Sequence, residues 1–285
     1  MLNKETIERA LGEIKKEVKD SKISERNLVK FGTSKDDRRF FSYINSPSSY
    51  YLKGIPLLLN KLGLKNIVEL GNREGVSTLC MWDKLAQDAK ITTIDIVKDL
   101  RYCPDEMFND PRVRIIYGDV SDLSIFKGDI PMDIDFLFSD TIHYNFQVTD
   151  EFEIYQYFLS DTALFAIDDI YVNDKNLFFE KVVFSKWDLT ELFHCSGWGL
   201  FLYERKENLT KEQRILKAYQ ASAKVWKRKA DENNARFEKL NNKRPLVSLK
   251  KIVKSIRPLY RLYTITYNNL SAFYKNKRFA KISDK

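Results

Sequence analysis

The stretch Val68-Glu69-Leu70-Gly71-Asn72-Arg73-Glu74-Gly75-Val76-Ser77-Thr78 runs from a short apolar segment through two glycines four residues apart into a helix-forming segment. Glycines there allow a tight turn and close backbone approach to a ligand, and the following helix start presents free N–H groups. A P-loop is excluded because no Gly-Lys-Ser/Thr follows, and a dinucleotide fingerprint would need glycine at Arg73. Outward from this turn, Asn66 to Leu70, Lys90 to Ile96, Arg112 to Tyr117, Ile134 to Phe138 and Thr162 to Ile167 read as strands. Val76 to Ala86 and Phe146 to Leu159 read as helices between them. Short apolar strands alternating with helix-length segments predict βαβ units and a parallel sheet. Trp187 to His194 and Gly199 to Tyr203 read as two strands at hairpin spacing, which predicts an antiparallel end to the sheet.

Ile7, Leu11, Ile14 and Val18 form one stripe on an N-terminal helix, and a second helix is predicted from Ser49 to Leu62, stopped by Gly63. The chain has 285 residues, with 44% hydrophobic and 31% charged, so it is globular and long enough for a core without disulfides. Cys80, Cys103 and Cys195 are scattered, without metal spacing, which fits a reducing cytosol. No window resembles a membrane span or a signal peptide. The net charge of +8 divides unevenly: residues 205–285 hold 23 Lys and Arg against 6 Asp and Glu, net +17, leaving the rest at −9. The reading is three regions: 1–47, an N-terminal helix and cap region; 48–205, the domain of alternating strands and helices; 206–285, a basic helical extension.

In an open parallel sheet the chemistry lies beyond the carboxyl ends of the strands. There the sequence places Glu69 and Gly71, then Asp95, then Gly118-Asp119-Val120, three strand ends in series. This pattern resembles the class I S-adenosylmethionine-dependent methyltransferases, whose first motif in the small-molecule O-methyltransferase branches is matched by Glu69, Gly71, Gly75, Ser77 and Thr78. The resemblance covers roughly residues 48–205. It implies a Rossmann-like seven-stranded sheet, mostly parallel with a C-terminal antiparallel hairpin. It also implies that Glu69, Gly71 and Gly75 surround the methionine end of S-adenosyl-L-methionine, that Asn72 and Ser77 belong to the same cofactor site, that Asp95 binds the ribose, and that Asp119 and Val120 lie near the adenine. Departures are Arg73 and Leu159-Ser160-Asp161, where a Gly-Gly turn is usual.

The later strands end in Ser139-Asp140-Thr141-Ile142-His143 and in Ile167-Asp168-Asp169. Neighbouring strands lie about 4.8 Å apart, so Asp140, Asp168 and Asp169 are expected to converge. Either Asp168 and Asp169 cap the next segment or the three acids hold a hard cation, Mg²⁺ first, with Ca²⁺ or Mn²⁺ as alternatives. The cation is favoured because acids gathered in a cleft repel one another. The arrangement is similar to that of catechol O-methyltransferase and of macrolide-sugar and aminocoumarin O-methyltransferases. That similarity implies metal ligation by these acids and a general base at His143, while His194 reads as packing. The expected acceptor is the hydroxyl of a small molecule or of a saccharide, such as one of a bacterial surface polysaccharide.

Asn208 to Asn242 predicts a long exposed helix with a capping box at Thr210 to Gln213. Beyond it, Leu249, Ile252, Val253, Ile256, Tyr260 and Tyr263 form an apolar stripe opposite Lys250, Lys251, Lys254, Arg257 and Arg261. A basic amphipathic helix suits an anionic membrane surface, which places the protein in the cytoplasm, peripheral on the inner face of the membrane. A subunit interface in a homo-oligomer is the other use of such a stripe. Nucleic acid is a third partner class, disfavoured because no Asn-Pro-Pro-Tyr-type motif follows the fourth strand. A scaffold that keeps the fold without turnover is a fourth reading.

Overall fold

The computed structural model describes residues 2–21, 49–193 and 196–243, with side chains to residue 236. Its elements are α1 (Lys4–Glu17), α2 (Tyr50–Leu62), β1 (Asn66–Leu70), α3 (Val76–Lys84), β2 (Lys90–Asp95), α4 (Asp105–Phe108) and β3 (Val113–Tyr117). A 3₁₀ turn (Leu123–Phe126) leads to β4 (Ile134–Ser139), α5 (Asn145–Tyr155), β5 (Leu159–Asp168), α6 (Asn176–Lys181), β6 (Lys186–Asp188), α7 (Thr190–Phe193), β7 (Trp198–Glu204) and α8 (Lys211–Lys243). The seven strands form one sheet in the order β3-β2-β1-β4-β5-β7-β6. β1 to β5 pair in parallel, and β7 runs antiparallel to both β5 and β6. This is the Rossmann-like, mostly parallel α/β fold with antiparallel C-terminal strands.

Side chains alternate between the two faces of the sheet, and both faces are covered. Val68, Leu70, Leu137, Phe165 and Phe201 face Val148, Ile154 and Tyr155 of α5 and Ala218 and Val225 of α8. Ile67, Phe136, Phe138, Ala166 and Leu200 face Ile7, Ala10 and Ile14 of α1 and Ile55, Leu58 and Leu59 of α2. A 14-residue helix such as α1 is marginal alone, so burial of Ile7, Leu11 and Ile14, at about 1.5–3 kcal/mol each, is what holds it. Its start carries a capping box: Thr6 N–H donates to Asn3 Oδ1 at 2.9 Å and Asn3 N–H donates to Thr6 Oγ1 at 3.1 Å.

One expected strand is corrected. Trp187 to His194 reads apolar enough for a strand, but β6 stops at Asp188 and α7 follows at once. Asp188 Oδ1 accepts from the Thr190 N–H at 2.9 Å and from its hydroxyl at 2.5 Å, which turns the chain into a helical turn. Phe193 then meets Trp198 edge-on, with ring centroids 4.9 Å apart. His194 and Cys195 lie outside the described residues, as do 22–48 and the stripe beyond Pro245.

The first compact unit runs from Met1 to Val225, so it includes the start of the basic extension. Arg214, 8% exposed, donates to the carbonyls of Tyr157 at 2.8 Å and Leu159 at 2.7 Å and to Asp133 at 2.7 Å. The expected capping box of α8 is present: Thr210 N–H donates to Gln213 Oε1 at 2.9 Å and Gln213 N–H to Thr210 Oγ1 at 3.3 Å. The second unit, Trp226–Lys285, is described as helix to Lys243. Among the described residues no helix is long and apolar enough to cross a membrane.

Candidate active site

The turn after β1 is fixed from below by Glu69. Its fully buried carboxyl accepts the hydroxyls of Ser77, Thr78 and Thr93, the last at 2.7 Å. Removal from water pushes its pKa up, and the three hydroxyls pull it partly back. Ser77 therefore serves the turn from inside. Asn72 Nδ2 donates to Thr93 Oγ1 at 2.8 Å, while its buried Oδ1 has no hydrogen-bond partner.

Two glycines are demanded here by space as well as by conformation. Gly71 has φ +86°, and a Cβ on it would lie 2.2 Å from the backbone oxygen of Asp140. The turn after β1 and the turn after β4 thus touch backbone to backbone. Gly75 has φ +85°, and a Cβ there would meet Cys103 Sγ at 2.4 Å. Arg73, between them, adopts φ +45° although it is not glycine, which puts backbone strain in the loop. Asp95 ends β2 and holds this loop: its Oδ2 accepts the N–H groups of Asn72 at 2.9 Å and Arg73 at 2.8 Å, and its Oδ1 accepts that of Val97 at 2.7 Å. Asp119 stands after β3, accepting the Ser121 N–H at 2.8 Å. Val120 is buried in the core, and its carbonyl accepts the Tyr155 hydroxyl at 3.0 Å.

The second group of acids lies across β4 and β5, whose register sets Ser139 beside Ile167 and so Asp140 beside Asp168. Burial pushes the Asp140 carboxyl well above the usual range, helped by the charge of Asp168. Asp168 is pushed up to about 7 by burial and by Asp169, and Lys175 pulls both acids back. Asp140 and Asp168 stand within hydrogen-bond reach of each other, and the charge of Asp169 acts on both. Asp169 adopts φ +55°, accepts the Ser196 hydroxyl on Oδ1 and sets Oδ2 3.2 Å from His143 Nδ1, a contact without the alignment of a hydrogen bond. Among the described residues no three His, Cys, Asp or Glu side chains gather so as to hold a metal ion.

His143 is partly exposed, and burial lowers its pKa despite Asp169 beside it, which keeps the imidazole neutral near pH 7. Its loop is tied down by Asn173 Nδ2, donating to the His143 carbonyl at 2.8 Å, and by the Asn145 N–H, donating to Asp174 at 2.8 Å. Two charged residues of this region are not singled out by the sequence reading. Glu151, fully buried, accepts Ser139 and Thr141 hydroxyls at 2.5 Å each and the Gln147 amide at 2.7 Å. Its signal was present: it falls on the inward stripe with Val148 and Tyr155. Lys175, 0% exposed, donates to the Ser139 carbonyl at 3.5 Å, and it sits in a segment without periodicity to betray it.

Residues 68–170, about a third of the chain, match a family described as a methyltransferase domain. Curated proteins give no match. Solved structures with similar folds include the SAH-bound methyltransferase PaMTH1 of Podospora anserina, at 15% identity and TM-score 0.49, covering 72% of this chain and 98% of that one. The O-methyltransferase TomG of Streptomyces achromogenes, in complex with SAM, has 16% identity and TM-score 0.48, covering 63% and 90%. The Bacillus cereus O-methyltransferase in complex with SAH has 16% identity and TM-score 0.42, covering 72% and 93%.

Proposed function

We propose, from the premise that residues 68–170 form a methyltransferase domain, that the protein transfers a methyl group from S-adenosylmethionine to a hydroxyl oxygen. The observation that carries this reading is the backbone contact of Gly71 with Asp140, which sets the loop suited to the donor against the loop bearing His143. When bound, S-adenosylmethionine supplies an electrophilic methyl on a sulfonium. Gly71 and Gly75 would admit the donor close to the backbone, with Asn72, Asp95 and Asp119 near its polar groups. The imidazole of His143 would accept the hydroxyl proton while the oxygen–carbon bond forms and the carbon–sulfur bond breaks. Holding the two reactants in line is the remainder of the catalysis.

The acceptor in this reading is a small molecule or a saccharide. Supporting it, the exposed side chains of Ile142, Tyr144, Phe146 and Tyr171 follow the ends of β4 and β5, and the Tyr144 and Phe146 rings stack at 5.7 Å. Such rings accept the apolar face of an aromatic or sugar ring.

Calorimetry with S-adenosylhomocysteine tests the donor; no heat of binding from folded protein would end the reading. Radiolabelled methyl transfer to a panel of catechols and sugars then tests the acceptor. His143→Gln should lower kcat by about 10²–10⁴-fold with donor affinity unchanged.

A further inference from the structure

Tyr171 follows the end of β5 and is held in place although 59% of it is exposed. Its hydroxyl donates to Asp188 Oδ2, at the end of β6. Gly197, at φ +132°, lies against it: a Cβ there would sit 2.7 Å from the Tyr171 backbone nitrogen and 2.9 Å from its Cδ2. The residues two before and two after Tyr171 both touch His143. Asp169 Oδ2 lies 3.2 Å from His143 Nδ1, and Asn173 Nδ2 donates to the His143 carbonyl at 2.8 Å. The ring is thus pinned at its tip and at its base, beside the residue that takes the acceptor's proton in the methyl-transfer reading. A side chain so fixed has already lost its rotamer freedom, so a ligand laid on its open face costs less ordering.

The chemistry of that face narrows what can lie on it. A phenol that donates to a carboxylate has a ring richer in electrons. The negative face of such a ring attracts polarised C–H groups or a cation and is poorly matched to the electron-rich face of a catechol. Residues 140–146 and 168–174, the loops after β4 and β5 with the strand-end Asp168, carry four aspartates and no lysine or arginine, which disfavours an anionic acceptor. A sugar ring meets both conditions, with C–H groups on its faces and hydroxyls around its rim. We propose that Tyr171 is the specificity-determining residue on which the acceptor stacks, and that the acceptor is a neutral or amino sugar. The inference rests on the methyl-transfer reading in calling that sugar the acceptor; its stacking on Tyr171 does not depend on the reaction.

The test is saturation-transfer NMR on the full chain, with and without S-adenosylhomocysteine. The probes are the methyl glycosides of glucose, galactose, rhamnose and glucosamine, with glucuronic acid and catechol as counter-probes. Wild type should transfer saturation to the ring C–H protons of at least one glycoside and bind it more tightly than either counter-probe. Tyr171→Ala should weaken that glycoside by about fivefold. Tyr171→Phe should weaken it by less, and Phe108→Ala, which removes an exposed ring in α4, not at all. Calorimetry should give Tyr171→Ala the wild-type affinity for S-adenosylhomocysteine. Any of three results overturns the proposal: no transfer to any glycoside, tighter binding of catechol or glucuronic acid, or a glycoside affinity that Tyr171→Ala leaves unchanged. Should Tyr171→Ala fail to fold, Tyr171→Leu, which keeps apolar bulk without a π face, is judged by the same criterion. Absence of S-adenosylhomocysteine binding alongside Tyr171-dependent glycoside binding would sink the methyl-transfer reading alone.

Discussion

Gly71 joins conformation and space at a single atom. Gly71→Ala would force a left-handed φ on alanine and drive its Cβ into the Asp140 carbonyl, so the fold should lose about 3 kcal/mol and donor binding with it. Thermal unfolding together with calorimetry reads both. Asp168 gives a pH dependence. Its folded carboxyl titrates near 7 against an ordinary 3.8, so between those values the native state holds a proton that the unfolded chain has released. Stability from this group is full below about pH 4 and declines as pH rises towards 7, by on the order of a few kcal/mol. Asp168→Asn should flatten that decline, as measured by denaturant midpoints across the range. The places of Glu69 and Gly71 at the end of β1, Asp95 at the end of β2, Asp140 after β4 and Asp168 at the end of β5 were legible in the sequence, because the alternation of apolar strands with helices fixes where each strand stops. Lys175 was not, because its burial is decided by residues far away in the chain, at Ser139 and Glu151.

Among the elements, the strands were legible wherever the core lay on both faces. β1 matches its expected span, and β2, β3 and β4 lie within a residue of theirs. The failure at Trp187 to His194 came from Asp188, whose side chain competes with the ladder for backbone N–H groups. β5 begins at Leu159, earlier than its composition suggests, because Arg214 and Arg205 donate to the Leu159 carbonyl from outside the strand. Arg214 ties the first turns of α8 to the body. Arg214→Ala should cost about 2–3 kcal/mol, as it leaves the Tyr157 and Leu159 carbonyls without that donor and Asp133 without its partner. Denaturant unfolding of the variant would measure this, and removal of exposed Lys224 on the same helix should cost under about 0.5 kcal/mol.

For the whole molecule, the charge asymmetry is the property the fold leaves unspent. The excess of cations beyond Val225 has no counterpart in the acidic body's chemistry, and anionic lipid would attract each nearby Lys or Arg by on the order of 1 kcal/mol. Truncation after Asn242 should release the protein from phosphatidylserine vesicles, with S-adenosylhomocysteine affinity unchanged. Flotation of both forms checks it, and binding of RNA instead of vesicles would transfer the tail to another partner. The sheet order carries a consequence of a different kind. β1 is central, yet its second neighbour is β4, with Ile67 set against Phe136. During synthesis at about 5–20 residues per second, several seconds separate the emergence of the two strands. Throughout that interval the nascent chain presents an apolar strand edge and a glycine turn without the Asp140 backbone to rest on. Ribosome pace and chaperone access thereby bear directly on whether the turn after β1 ever seats correctly.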